Sequence, residues 1–279
     1  MKLWITGAAG LVGSSLKKYA HLATDKHEAD ISSLESLRSF VYKNRGITHI
    51  VNCAAFSLVD LAETHRKEAF RANAEGPENL GILANEMGAR VIHLSTDYVF
   101  PGHYKHPLKE DDPTDPGSYY GLTKLEGEQR LVQVHQNACI IRPSWIFGRG
   151  GKNFVAKLLE MFREKEEIRL TDDQWGRPTF APDLTQIILK MLDASGIYHF
   201  ANRGAANKYE FGCAMLKKAN EMGFPITTKK IVPVPASTFP SPAIRPAYSV
   251  FDTSKIEKYL DVAIRPWEEA LGEHLCAAL

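Results

Sequence analysis

Short, uninterrupted apolar runs alternate along the chain with longer segments in which apolar residues recur every three or four positions. Runs of the first kind read as strands buried on both faces of a parallel sheet, and the segments between them as the helices that cover it. The run from Lys2 to Thr6 leads into Gly7-Ala8-Ala9-Gly10-Leu11-Val12-Gly13 and a helical stretch, Ser14 to Tyr19. His49 to Ala55, Arg90 to Ser95 and Ala138 to Arg142 are further buried strands, the first two ending in small or hydroxyl residues. The strand ending near His21 to His27 is weakly marked. Between these runs, Leu34, Leu37 and Val41 mark a helix with a start signal at Ser33 and Ser36, and a helical region extends from Phe56 past Arg71-Ala72-Asn73 and Pro77 to Met87. Leu122 to Leu131 also reads as helix.

The second half continues the pattern: helix from Asn153 to Arg163, strand from Ile168 to Leu170, helix from Ala181 to Leu192 with Pro182 near its start, strand from Gly196 to Phe200, and helix from Tyr209 to Met222. Pro233 to Pro246 is rich in proline and predicts a loop or lid over a cleft. The chain therefore predicts an α/β fold, a Rossmann-type doubly wound parallel sheet over residues 1–146. A smaller α/β lobe over 147–279 would bind substrate and return some elements to the first domain. No internal repeat is present.

Composition narrows the partners. Of 279 residues, 34 are Lys or Arg and 33 Asp or Glu, a formal charge of +1 with no basic run, which excludes a strongly electrostatic nucleic-acid binder and favours a small-molecule partner. The N-terminus enters a strand without a signal-type apolar core, and no apolar run nears the ~20 residues that span a bilayer, so a cytoplasmic location with no membrane partner is expected. Cys53, Cys139, Cys213 and Cys276 form no C-x-x-C pair. Neither a disulfide framework nor a metal site is expected from them.

Strand, glycine turn and helix in succession is the context of a dinucleotide-binding fingerprint, in which backbone N–H groups at a helix N-terminus approach a pyrophosphate. Gly7, Gly10, Leu11, Val12 and Gly13 are the cofactor candidates there. At the next strand end, Asp25 would accept ribose hydroxyls and Lys26 would attract a 2′-phosphate, so NADPH and NADH both remain open. Ala54 and Ala55 end a buried strand at the edge where such sheets bind ligands, and Ser95-Thr96-Asp97 ends another. Tyr120 and Lys124 stand one helical turn apart, so a phenol and an ammonium can share one site. The ammonium would make the phenol easier to deprotonate.

The G-x-x-G-x-x-G spacing resembles the extended branch of the short-chain dehydrogenase/reductases. Three blocks make the resemblance more specific: Ser95-Thr96-Asp97-Tyr98-Val99-Phe100-Pro101-Gly102, Tyr120-Gly121-Leu122-Thr123-Lys124, and Arg142-Pro143-Ser144-Trp145-Ile146-Phe147-Gly148. Further blocks are Asp173-Gln174-Trp175-Gly176-Arg177-Pro178-Thr179 and Arg245-Pro246-Ala247-Tyr248-Ser249. Together they resemble the dTDP-4-dehydrorhamnose reductase family over nearly the whole chain. The resemblance implies NAD(P)H-dependent reduction of the 4-keto group of a dTDP-deoxyhexose. It implies a trio in which Thr96 bonds the substrate carbonyl region, Tyr120 gives the proton, and Lys124 binds the nicotinamide ribose and tunes Tyr120. It also implies that Asp30 and Ile31 lie against the adenine, and that the sugar nucleotide meets Ser57, Thr96, Asp97, Tyr98, Trp145 and Arg245.

Departures from the family pattern are Tyr248, often Asn, and Ser57, often Thr. Some members use a Glu for a magnesium-linked dimer where Ser15 stands, so no metal is expected, while a homodimer remains a possibility. A 4,6-dehydratase or epimerase is a rival, though dehydratases of this kind place Glu after Thr-Asp where Tyr98 stands. A regulatory subunit resembling that of methionine adenosyltransferase is another; the intact Thr96, Tyr120 and Lys124 set weighs against it.

Overall fold

The computed structural model describes residues 1–150 and 153–277. In chain order the elements of the first half are β1 (Leu3–Thr6), α1 (Leu11–Leu16), β2 (Leu22–Thr24), α2 (Leu34–Lys43), β3 (His49–Asn52), α3 (Val59–Ala62), α4 (Arg66–Phe70), α5 (Gly76–Met87), β4 (Arg90–Leu94), α6 (Tyr119–Val134) and β5 (Cys139–Pro143). The second half holds β6 (Ile146–Phe147), α7 (Phe154–Glu164), β7 (Glu167–Thr171), β8 (Trp175–Gly176), β9 (Thr179–Phe180), α8 (Ala181–Lys190), β10 (Gly196–Phe200), β11 (Ala206–Asn207), α9 (Lys208–Glu221), β12 (Lys230–Val234), β13 (Tyr248–Ser249), α10 (Ser254–Leu260) and α11 (Trp267–Cys276).

Six strands form one parallel sheet in the order β10-β5-β4-β3-β1-β2. Its strands are largely apolar because both faces are covered, with Asn52, His93 and Arg142 among the buried polar exceptions. One face packs on α1, α8 and α10 through Val12, Leu16, Leu184, Ile188 and Ile256. The other packs on α2, α5 and α6 through Leu37, Leu80, Leu83 and Leu131. The crossovers from β1 run to β2 on one side and return to β3 on the other, so the sheet's switch point lies between β1 and β3. Ligands of open α/β sheets bind at the carboxyl ends of strands at such a point.

A second apolar core, with Phe162, Leu170, Phe211, Met215 and Leu271, joins α7, α9 and α11 to the parallel pair β7 and β12. The chain reaches it after β5, yet α8, β10 and α10 pack on the main sheet.

Three differences from the sequence pattern have local causes. The helical region from Phe56 to Met87 is interrupted: α3 is one turn, and α4 passes into α5 through a π-helical turn, Arg71–Glu75. That turn directs Asn73 inward, where its amide holds Phe56 N–H at 2.8 Å and Thr123 Oγ1 at 3.0 Å. Pro233 and Val234 belong to β12, an edge position where proline's missing N–H costs no ladder bond. The two-residue pairings β6–β9, β8–β11 and β8–β13 are too short for any periodicity to mark.

Candidate active site

The three glycines of the first turn are needed for different reasons. Gly7 has φ +68°, and a Cβ on it would lie 2.5 Å from Ala54 N; a Cβ on Gly13 would overlap the Gly7 carbonyl. Protein packing alone demands both. Gly10 has ordinary extended backbone, φ −69° and ψ 167°, and its Cβ would meet only Gly7 O at 3.3 Å. Its missing side chain leaves room at the start of α1, which is what close approach of a phosphate to backbone N–H groups requires. Beyond it, Val12 is buried in the core and Leu11 is half-buried.

Asp25 directly follows β2, and its Oδ1 accepts from Ala9 N–H at 2.9 Å, tying this carboxylate to the glycine turn. Lys26 beside it is exposed. The Asp30 carboxylate accepts from Ser32 N–H and Oγ–H at 2.9 and 2.7 Å, and Ile31 is 5% exposed in the core under α5, where Gly76 makes room for it. At the end of β3, Ala54 is half-buried, and Ala55 and Ser57 are exposed.

Helix α6 brings Tyr120 and Lys124 to the end of β4. Ser118 caps the helix by accepting from Gly121 N–H at 3.1 Å. Gly121 and Gly127 let the helix approach the Tyr98 and Asn73 carbonyls more closely than a Cβ would permit. Thr96 Oγ1 accepts from Tyr98 N–H at 3.2 Å and donates to Asp97 Oδ1 at 3.1 Å. The Tyr98 ring meets the Tyr120 ring edge-on, 5.5 Å between centroids. Lys124, 1% exposed, donates from Nζ to Leu94 O at 2.7 Å and lies 3.2 Å from His93 Nε2.

These surroundings correct the expected electrostatics of the pair. Burial pushes the Tyr120 phenol up to about 12, with the Thr96 hydroxyl pulling down and the Asp97 charge pushing up. Burial likewise brings Lys124 down to about 8, opposed by Glu128 and Cys53. Burial dominates both groups, and Lys124 Nζ is engaged with the Leu94 carbonyl. Tyr120 therefore stays a protonated donor across the physiological range. Burial also raises the Asp97 carboxyl to about 6, against the Ser249 and Thr96 hydroxyls and the Lys208 charge. Asp97 Oδ2 and Ser95 Oγ are buried with no hydrogen-bond partner among the described residues.

Beyond Asp97 lies a cavity of about 260 Å³ whose lining includes Tyr98, Trp145, Gln174, Lys208 and Arg245. Trp145 has φ 45°, rare for a bulky residue, and its ring rests where a Gly176 Cβ would be 2.5 Å from Cε2. A groove of about 930 Å³ continues past Lys208 and Arg245, flanked by Lys157, Lys165 and Arg169. Arg245 forks onto Asp60, Nη2 to Oδ2 at 2.8 Å and Nη1 to Oδ1 at 3.2 Å.

Lys208 is the residue that sequence reasoning missed. It opens α9, donates to Gln174 Oε1 at 2.8 Å, and lies 6.0 Å from the Trp145 ring centroid. Burial lowers it to about 8, with Arg245 adding to the effect and Asp173 and Asp97 opposing it. A cation at a helix N-terminus also stands against the helix dipole. In the sequence it looks like an ordinary surface lysine; its unfavourable place at a helix start was the available signal. Ser15 Oγ accepts from Thr185 Oγ1 at 2.9 Å, and no cluster of three metal-ligating side chains occurs among the described residues.

A protein-family model described as RmlD substrate binding domain matches residues 1–278. The spore coat polysaccharide biosynthesis protein SpsK of Bacillus subtilis is 36% identical over 98% of this chain and 96% of its own length. The dTDP-4-dehydrorhamnose reductase of Escherichia coli is 34% identical over 96% of this chain and 95% of its own. Among solved structures, dTDP-4-dehydrorhamnose reductase from Bacillus anthracis in complex with NADP superposes with a TM-score of 0.93 at 32% identity, covering 99% of this chain and 100% of that one.

Proposed function

The chain belongs to the RmlD substrate binding domain family, and from that premise we propose that it is an NAD(P)H-dependent oxidoreductase converting dTDP-4-dehydro-L-rhamnose to dTDP-L-rhamnose. The observation that carries the reading is the convergence of the glycine turn, Thr96 and the Tyr120–Lys124 helix at the carboxyl edge of one sheet, with a cavity alongside that presents two buried or half-buried cations.

The residues present fit a dinucleotide. Gly10 leaves open the space that packing does not require to be open, and Ala9, Asp25 and the start of α1 surround it. Gly7, Gly10, Leu11, Val12 and Gly13 would hold the pyrophosphate side, Asp25 and Lys26 the adenosine ribose, Asp30 and Ile31 the adenine end, and Ala54 and Ala55 the sheet edge between. Reduced nicotinamide, when bound, supplies a hydride to the sugar C4.

Tyr120 Oη gives its proton to the developing C4 oxygen, so no alkoxide need persist. Burial, which raises the phenol, keeps that proton on Tyr120 until the C4 oxygen develops charge. Thr96 Oγ orients the carbonyl, and Lys124 Nζ takes the nicotinamide ribose. Arg245 and Lys208 neutralise the diphosphate, Arg245 from the guanidinium edge that its fork onto Asp60 leaves open. Trp145 and Tyr98 wall the sugar, with Ser57 and Asp97 bonding its edge. No helix is long and apolar enough to cross a membrane among the described residues; the same reading places the enzyme in the cytoplasm.

The test is oxidation of NADPH and NADH, followed optically, with dTDP-4-dehydro-L-rhamnose and a panel of other NDP-4-ketohexoses. Turnover with the rhamnose precursor above the others is expected. Oxidation with none of the ketosugars would remove the reading.

A further inference from the structure

Behind Lys124 runs a buried chain of polar groups that the reaction above does not use. Asn52, His93 and Lys124 are each 1% exposed or less. Asn52 Nδ2 lies 2.9 Å from His93 Nδ1, and His93 Nε2 lies 3.2 Å from Lys124 Nζ. Asn52 Oδ1 accepts from Ala54 N–H at 3.1 Å and from Thr6 Oγ1 at 2.8 Å.

One donor in this chain cannot turn. The Ala54 amide is backbone, so the Asn52 atom facing it must be the carbonyl oxygen; the flipped amide would set NH₂ against N–H. Asn52 Nδ2 therefore donates to His93 Nδ1. The imidazole, accepting there, is neutral and carries its proton on Nε2. That N–H faces Lys124 Nζ, which can accept it only as an amine with a free lone pair, while donating to Leu94 O. An ammonium would place donor against donor.

We propose that Asn52 and His93 are positioning residues that set the direction of this chain from the Ala54 amide and so weaken the hold of Lys124 on its proton. The other groups facing Lys124 allow this. Cys53, after β3, is kept a thiol by burial, which raises it to about 12. Glu128, one turn along α6, is committed to Arg142 of β5 at 2.6 and 2.9 Å. Tyr120, on the same helix, is a neutral phenol. Burial of Lys124 acts in the same direction as the chain.

On the reductase reading, from which this role in turnover follows, Tyr120 Oη loses its proton to the substrate oxygen. A Lys124 ammonium can return a proton to that phenolate: an N–H bond breaks and an O–H bond forms, leaving the amine that His93 Nε2–H caps. Bulk solvent then reprotonates the amine, a water giving up its proton and leaving as hydroxide, so the net reaction takes one proton from solution. Asn52 and His93 thus stabilise the state that Lys124 reaches after giving up its proton.

The decisive measurements need neither substrate nor cofactor, so they stand apart from the activity assay. ¹⁵N NMR of His93 in the intact protein at pH 7 should give a neutral ring protonated at Nε2; a ring protonated at Nδ1, or an imidazolium, overturns the proposal. A ¹³Cε-lysine titration, with Lys124 assigned by its loss in Lys124→Met, should place Lys124 near 8 or lower. His93→Gln offers a rotatable amide whose oxygen can accept from an ammonium, and should raise that midpoint by about one unit or more, the scale of one net hydrogen bond. The alkaline limb of kcat/KM should move with it. A midpoint unmoved in a folded His93→Gln protein overturns the proposal as well.

Discussion

Asp97 shows what the site costs the fold. Its carboxyl is raised from the ordinary 3.8 to about 6, so its contribution to stability is fully present below 3.8 and is lost as pH rises through about 6. Above that, the protein carries a buried charge with one oxygen unpartnered. The rise corresponds to about 3 kcal/mol. Asp97→Asn is therefore expected to be more stable than the parent at pH 8 by up to about 3 kcal/mol, with the gap closing toward pH 4. Urea unfolding at the two pH values checks this, and a gap independent of pH would show that the carboxyl ionises freely. Tyr120→Phe keeps the ring and its packing on Tyr98 but removes the proton; turnover should fall roughly 10²-fold or more with cofactor affinity retained. Near-parental turnover in that variant would take Tyr120 out of the mechanism. Gly10→Val should act on the other half of the site, since a branched side chain would fill the space that only a ligand explains; fluorescence titration should show weakened NADPH binding in a normally folded protein.

Helix α6 is the element that converts packing into chemistry, because two glycines on it meet carbonyls of different segments. Gly121 lies on the Tyr98 carbonyl and Gly127 on that of Asn73 in the π-helical turn. Both fall on the buried face that carries Tyr120, Thr123 and Lys124. Gly127→Ala should force the helix outward and destabilise the protein by about 1–3 kcal/mol, the range for overpacking, and the accompanying shift of Lys124 should lower kcat more than it raises KM. A destabilised variant with unchanged kcat would separate the helix's packing from its placement of Lys124. The sequence shows this helix, its Tyr–Lys spacing and the sheet runs plainly, because burial on both faces leaves continuous apolar stretches. It does not show that burial reverses the expected lowering of the Tyr120 phenol, since that depends on how deeply α6 sinks beside β4. Lys208 escaped for a related reason: a lysine is assigned to the surface until α9 and Trp145 are placed around it. The small pairings that close the cavity, β8 with β11 and β13, join segments far apart in sequence and leave no local trace.

At the scale of the whole molecule, two apolar cores meet along the cleft, and one ion pair ties a segment of the second half across it. Asp60 in α3 holds Arg245 by both oxygens and also accepts from Ser241 Oγ at 2.6 Å and from Ala243 N–H at 3.4 Å. The Arg245 guanidinium beside Asp60 keeps that carboxyl below its ordinary value, so the tie holds at neutral pH. The proline-rich segment is therefore a strap fastened to the switch-point side of the sheet. Two readings of the tie predict opposite effects: Asp60 could compete with the substrate diphosphate for Arg245, or it could present Arg245 to it. A guanidinium carries five donors in a fixed fork, and the contacts with Asp60, Ser241 and Ala243 come only from its two terminal nitrogens, so that among the described residues Nε is left for a second anion. Presentation is thus compatible with the pair staying closed, and competition is not required. Asp60→Ala should release the strap and raise KM for the nucleotide sugar about tenfold, equivalent to about 1.4 kcal/mol, with kcat within a few-fold of the parent because Tyr120 and Lys124 stand on a different helix. Arg245→Ala should raise KM at least as much, and the double variant should cost little beyond Arg245→Ala alone, since both act through one guanidinium. Steady-state kinetics on the three variants decides between the readings, and a lower KM in Asp60→Ala would establish that the aspartate competes with the diphosphate instead of presenting the arginine to it.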